Sequence, residues 1–375
     1  MNRLNRHILL LAVTLLAMVA SACSSASDKR GDAPERKNDL KYAERLRMYE
    51  RDGYTVAEIL ADTPDKRVEQ TYVLVPEGVK PPAADPNVSV IPVPISNALV
   101  YTSVHAGALD ELKSAQVIKA VADAEYFKLP AVTEGLRSGA IKDVGPSSSP
   151  SSEKIMELAP QAIIVNQYQG ADYHTIDKIG IPVVKMAENL EQTPLGRAEW
   201  IKFIGALAGK REMADSIFSA VEKSYLAMAQ RGKALKKRPK VMTETMYEGV
   251  WNMAGGGSYQ ARLIADAGGD YIWKDDKTSG SLPLNFEQVL ERGADADIWI
   301  LNVFGYELTR DALLKLNPRY KNFAPVDKGG VYYCNSSEKP LFEDTPFHPD
   351  RLLSDYIAIF SRDTVPMRYY RQMTK

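Results

Sequence analysis

The sequence predicts an α/β protein of two lobes with mostly parallel central sheets, joined by one long α-helix. Three observations predict it. Strand-like and helix-like runs alternate in each half of the chain, a gapless segment recurs between the halves, and one amphipathic run without a breaker separates them.

That run is the clearest element. Ala214, Ile217, Phe218, Val221, Tyr225 and Met228 recur at a period of 3.6, and from Glu212 to Leu235 the only Gly or Pro is Gly232. Its end is basic, with Lys233, Lys236, Lys237 and Arg238, which suits the carbonyl end of a helix. Pro239 stops it. At 1.5 Å per residue such a helix is about 36 Å long, enough to run from one small domain to another. Upstream, Pro194 leads into Trp200, Phe203, Ile204, Leu207 and Ala208, also at helical spacing. Residues 194–238 are therefore expected to form a spine; the alternative is an ordinary surface helix inside one domain.

The chain is 375 residues long, with 45% hydrophobic and 25% charged residues, which is globular composition with room for two cores. A net charge of −1 argues against a nucleic-acid partner. Residues 1–22 have the order of a signal peptide. Arg3 and Arg6 precede the apolar stretch Ile8–Ala20, and Ala20-Ser21-Ala22 is a small-residue cleavage site. Thirteen mostly apolar residues are short for a bilayer span. Removing residues 1–22 takes the net charge from −1 to −3. Cys334 then remains beside Cys23, so no internal disulfide framework is expected and Cys334 reads as a small buried hydrophobe. Residues 23–40 are small and charged, a flexible tether.

Residues 41–87 read as an N-terminal extension packed on the first lobe, with an amphipathic start at Tyr42–Tyr49 and a strand at Thr71–Val75. The first lobe is expected at 88–193. Ala98–Ser103 is its first strand, Gly107–Lys113 a helix, and Ile163–Asn166 and Ile181–Lys185 further strands. The second lobe, 239–375, repeats the order. Lys240–Thr245 is a strand, Ala261–Ala267 a helix, and Ile298–Leu301 and Gly330–Tyr333 are strands, before an amphipathic terminal helix at Pro349–Phe360.

The segment Glu153–Val165 aligns without gaps on Glu287–Trp299. Glu153 falls on Glu287, Ile155 on Val289, Met156 on Leu290, Glu157 on Glu291 and Ile164 on Ile298. Each copy reads as a short helix opened by a carboxylate, a turn and a buried strand. An acid in the first helical turn complements the dipole, which is a sufficient role for either glutamate alone. Two duplicated lobes with a helix between them also make a cleft.

These residues resemble the substrate-binding proteins of bacterial ABC importers for iron–siderophore, haem and cobalamin, the class III periplasmic-binding-protein type. The resemblance covers about residues 90–360. It rests on the two Glu-x-[Ile/Val]-[Met/Leu]-Glu copies, on Trp251–Gly269 with its Gly-rich turn and Ala-Gly-Gly ending, and on Phe347-His348-Pro349-Asp350 before the terminal helix. It implies that Glu153 and Glu287 dock onto arginines of the ABC transporter permease. It implies a metal chelate as cargo, an iron–siderophore or cobalamin, with no intrinsic cofactor; the residues themselves single out no acid–base pair or triad. The Ala-Ser-Ala-Cys order at 20–23 resembles a bacterial lipobox, with Ala20 where Leu or Val is commonest, so Cys23 is expected to carry the lipid that tethers the exported protein to the cell envelope. A monomer is expected. A continuous interlobe helix resists bending, so closure around the ligand is expected to be small.

Ligand contacts are expected from loops at the carboxyl ends of the strands. The candidates are Tyr126, Phe127, Ser147, Gln167, Tyr168, Tyr247, Trp251, Phe304 and Tyr306. Aromatic faces suit a macrocycle or catecholate, although burial in a core is the competing role for each. Trp251 stands out because it precedes Gly255-Gly256-Gly257, whereas Trp200, Trp273 and Trp299 look structural. The histidines His7, His105, His174 and His348 have no ligand spacing, and no dedicated metal site is expected. His105 is a candidate axial ligand to a chelate metal or else a hydrogen-bonding loop residue, and His348 is expected to order a turn. Gly205–Arg211 is one residue short of a phosphate loop and lacks its Ser/Thr. Gly255–Ser258 lacks the order of a nucleophile elbow. Two other readings stay open: an exported two-lobed enzyme acting on a chelate, and a haem-capturing surface protein.

Overall fold

The computed structural model describes residues 38–83, 85–167 and 173–374. The signal peptide, Cys23, most of the tether and Tyr168 lie outside the described residues. Residues 38–375 group as one compact unit.

Its first element is a four-stranded sheet of β1 (Leu46–Arg51), β2 (Tyr54–Leu60), β3 (Val68–Pro76) and β4 (Val88–Val93). The first three strands are antiparallel and β4 runs parallel to β3. The Tyr42–Tyr49 stretch runs into β1, and residues 88–93, expected to open the first lobe, pair in register with Thr71–Pro76 in this sheet. Two buried carboxylates fasten the segment before β1 to the start of the spine. Glu199 accepts the backbone N–H groups of Lys41, Tyr42 and Ala43 at 2.7–3.0 Å. Glu191 accepts those of Glu44 and Arg45, and the indole N–H of Trp200 at 2.9 Å.

The first lobe holds a parallel sheet ordered β7-β6-β5-β8-β9, built from β5 (Ala98–Val100), β6 (Ile118–Val121), β7 (Lys142–Asp143), β8 (Ala162–Asn166) and β9 (Val183–Met186). The second holds β13-β10-β15-β16-β17, from β10 (Lys240–Thr243), β13 (Asp270–Tyr271), β15 (Ile298–Val303), β16 (Val331–Asn335) and β17 (Arg371–Gln372). Only β17 is antiparallel there. The order β6-β5-β8-β9 thus recurs as β13-β10-β15-β16, and the recurring sequence segments lead into the matching strands β8 and β15. A three-stranded antiparallel sheet of β11 (Met246–Tyr247), β12 (Val250–Ala254) and β14 (Ser281–Leu284) is added to the second lobe.

The spine is three helical pieces, Pro194–Glu199, Ile201–Leu207 and the continuous 23-residue helix Arg211–Lys233. The long piece divides one apolar stripe between two cores. Ala214, Phe218 and Val221 pack into the core of the first lobe, and Tyr225 and Ala229 into that of the second. It could not bend at its middle without opening both cores. At its end Gly232 meets the backbone of the second lobe. A Cβ there would lie 2.1 Å from the carbonyl oxygen of Asp266, so only glycine permits the approach.

Candidate functional site

Open α/β sheets present their binding loops at the carboxyl ends of the strands, and a contact between such loops of the two lobes marks the candidate groove. From the first lobe the 124–128 turn carries Tyr126, 62% exposed, and Lys128. From the second, β15 delivers Phe304 and Tyr306, both exposed. The two sides meet: Lys128 Nζ lies 5.9 Å from the centre of the Phe304 ring, a cation–π contact across the groove. Ser147 joins this neighbourhood, its N–H donating to Asp123 at 3.0 Å beside the Tyr126 turn. Tyr247, 72% exposed, follows β10 at the carboxyl edge of the second lobe.

Helices from the two lobes also approach each other closely. Leu341–Asp344 packs on Ser103–Glu111, and a Cβ at Gly107 would lie 2.9 Å from the Glu343 carbonyl oxygen. The Glu343 side chain bonds Ser103, and burial raises its carboxyl above the ordinary value of 4.5. Phe342 beside it is exposed. A raised carboxyl keeps its proton in the folded protein where the unfolded chain has lost it. Stability from this group is therefore complete below about pH 4.5 and falls as pH rises through the folded value. Glu343→Gln is expected to raise the thermal midpoint at pH 8 and leave it unchanged near pH 4, as read from melting curves across pH.

Glu244 is a second residue without a sequence signal. It ends β10 in a left-handed conformation, φ 60°, which is uncommon for a residue with a Cβ. The strain is held by its N–H donating to Ile300 at 3.0 Å and by its carbonyl accepting the Trp299 indole at 2.8 Å. Burial raises its carboxyl above the ordinary range.

Four candidates leave the groove. Trp251 is fully buried, packed 5.6–6.3 Å from Phe286, Trp299, Tyr320 and Phe323, with its indole N–H on the Thr243 carbonyl. It lies on the inward face of β12, where alternate residues point into the core. Phe127 is 2% exposed and belongs to the core of the first lobe. Gln167 spends its amide on Glu69 of the N-terminal sheet at 3.1 Å. His105 is not on a groove loop. It is fully buried on Ser103–Glu111, with Nδ1 3.0 Å from the Thr102 hydroxyl and Nε2 3.4 Å from Glu188, so no ring nitrogen is presented to a ligand metal. That removes the residue on which axial ligation rested. His348 donates its N–H to the Asp344 carbonyl at 2.9 Å within its own turn, and its Nε2 also bridges the lobes by reaching Glu111 at 2.6 Å. Trp200 and Trp299 are buried as expected, and Cys334 is buried with its thiol pushed up to about 12. Among the described residues no group of three or more His, Cys, Asp or Glu is placed to hold a metal ion.

Glu153 and Glu287 occupy equivalent places. Each is the second residue of its helix, after a capping Ser151 or Asn285, and each is exposed. Asn285 and Gln288 complete a capping box in the second copy. The glutamates differ in their partners. Glu287 accepts from Arg319 at 2.7 Å, which holds its carboxyl below the ordinary range, and the guanidinium stacks 3.8 Å over Phe286. Among the described residues Glu153 makes no ion pair.

Two α/β lobes of matching strand order with one helix shared between their cores are the architecture of a two-lobed binding protein. The chain belongs to the periplasmic binding protein family, whose model matches residues 100–338. The N-terminal sheet lies outside that match. The chain is 33% identical over 279 residues to an uncharacterized lipoprotein of Methanocaldococcus jannaschii, covering 70% of this chain. It is 28% identical over 312 residues to a second lipoprotein of that organism, covering 79%. It spans 65% of the first relative's length and 76% of the second's. Among solved structures, a periplasmic heme binding protein from Pseudomonas aeruginosa superposes with a TM-score of 0.58 at 14% identity, over 75% of this chain and 99% of that one. A protein of an Fe3+-hydroxamate transport system from Saccharomonospora viridis gives 0.55 at 18% identity, over 71% and 93%. At such identities these likenesses establish the fold.

Proposed function

We propose that the chain is the solute-binding lipoprotein of an ABC importer, which captures a metal chelate in the interlobe groove and delivers it to a membrane permease. The chelate class is a ferric siderophore, haem or cobalamin. The observation that carries the reading is the apposition of exposed aromatic side chains from both lobes, Tyr126 on one side and Phe304 and Tyr306 on the other, around the Lys128–Phe304 contact. A flat ligand between such faces buries apolar area on both sides without a covalent or metal bond from the protein. Ser147 and Tyr247 join them as candidate contacts, and Tyr168 stays with them as a sequence candidate. The named ligands of the similar structures, heme and Fe3+-hydroxamate, support the same class. Cys23 would carry the lipid, and Glu153 and Glu287 would register the permease's arginines.

Native mass spectrometry of the protein purified from its own host tests this. The expected result is a one-to-one complex whose added mass and isotope pattern are those of a metal chelate. A bound amino acid, sugar or peptide would contradict it. Incubating that complex separates the enzyme reading, since an unchanged ligand mass after prolonged incubation favours capture over turnover.

A further inference from the structure

The sharpest concentration of charge lies at the far end of the spine. Between residues 231 and 240 stand Arg231, Lys233, Lys236, Lys237, Arg238 and Lys240, and the first five are exposed. Lys236 and Lys237 share the rim of an open cavity of about 490 Å³ with Arg362, and Asp297 is the one acid in its lining. Two cations are partly neutralised, Lys237 by Asp297 at 3.6 Å and Lys240 by Asp295 at 2.5 Å. Among the described residues Arg231, Lys233 and Lys236 make no ion pair. The helix dipole accounts for Arg231 and Lys233 alone, because its influence ends with the last turn and the helix ends at Lys233. Lys236, Lys237 and Arg362 lie beyond it, in a protein whose mature net charge is negative.

We infer that this basic face binds the anionic phospholipid headgroups of a membrane surface. Such clusters gain affinity for anionic bilayers with each cation brought to the surface. The strand directions give the contact a consequence. Pro239 and Ile298, which adjoin or open β10 and β15, line the basic cavity, while Tyr247 and Phe304 lie past the opposite ends of those strands. The six residues of β15 separate the two ends by about 20 Å. With the basic face on the bilayer, the second lobe's side of the groove points outward, an orientation for collecting ligand; this consequence rests on the groove reading, whereas the binding does not.

Co-sedimentation with vesicles tests the inference, using the mature chain from residue 23 with Cys23→Ser so that no lipid is attached. Binding is expected to vesicles of phosphatidylcholine with about one-third phosphatidylglycerol, to fall as salt rises, and to be absent with phosphatidylcholine alone. Lys233→Gln with Lys236→Gln and Lys237→Gln is expected to weaken it by roughly fivefold per lysine, with the thermal midpoint unchanged. Lys119→Gln with Lys142→Gln, on the first lobe, is expected to leave it intact. Equal binding to both vesicle types, or wild-type binding by the triple variant, would overturn the inference. So would retention on heparin without vesicle binding, which would give the face to a soluble polyanion. No ligand or permease is present, so failure here leaves the groove reading standing, and failure of the groove reading leaves this result standing.

Discussion

Trp251→Ala is expected to lower the stability of the protein by about 3–5 kcal/mol, the cost of emptying a large aromatic site in a packed core. The site is enclosed by Phe286, Trp299, Tyr320 and Phe323, and the indole N–H also satisfies the Thr243 carbonyl. The loss therefore joins a cavity to an orphaned acceptor, and a domain stable by about 5–15 kcal/mol has little margin for it. Urea unfolding reads the change as an earlier midpoint. Because the ring does not reach the groove, ligand affinity of the folded variant is expected to stay at the wild-type value. A fully stable variant with weakened ligand binding would return Trp251 to the groove.

The second large effect is on transport. Glu153→Ala combined with Glu287→Ala is expected to abolish uptake while leaving ligand affinity unchanged. Both side chains sit at the exposed starts of equivalent helices, where an acid is favoured by the dipole and available to a cationic partner. Their loss removes two charges that would orient the protein on the permease, and helix capping remains with Ser151 and Asn285. The singles are expected to differ. Glu287 already holds Arg319, an exposed pair worth little in stability but one a permease arginine would have to displace. Among the described residues Glu153 has no such competitor, so Glu153→Ala is expected to be the more damaging single change in a vesicle uptake assay. Normal uptake by the double variant would leave both residues as helix openers.

The features legible in the sequence are those written in local periodicity. The spine was marked by a stripe at 3.6 residues from Ala214 to Met228, and the terminal helix by the same spacing. The recurrence of Glu153–Val165 at Glu287–Trp299 marked the two lobes, and the recurring strand order matches it. Of the N-terminal sheet the sequence shows β3 at Thr71–Val75, whereas β2 is obscure because it is buried at every position, without the in-and-out alternation that signals a strand. The glycines after Trp251 point to a ligand loop, but the residue itself lies on a strand that faces the core. The signal for that strand is the alternation of Val250, Trp251, Asn252 and Met253, outward and inward by turns. The contacts between the lobes had no local signal at all. Lys128 with Phe304, Ser103 with Glu343, and Glu111 with His348 come from opposite lobes, and only the fold brings them together.

Capture between opposed aromatic faces is tested most directly by titrating the chelate recovered from the native protein into the Tyr126→Ala/Phe304→Ala variant, with heat of binding as the readout. Both side chains are exposed without ligand, so the variant is expected to melt at the wild-type temperature. Single-site affinity is expected to fall at least tenfold, about 1.4 kcal/mol or more. Wild-type affinity in a correctly folded double variant would contradict the account and place the ligand elsewhere on the molecule.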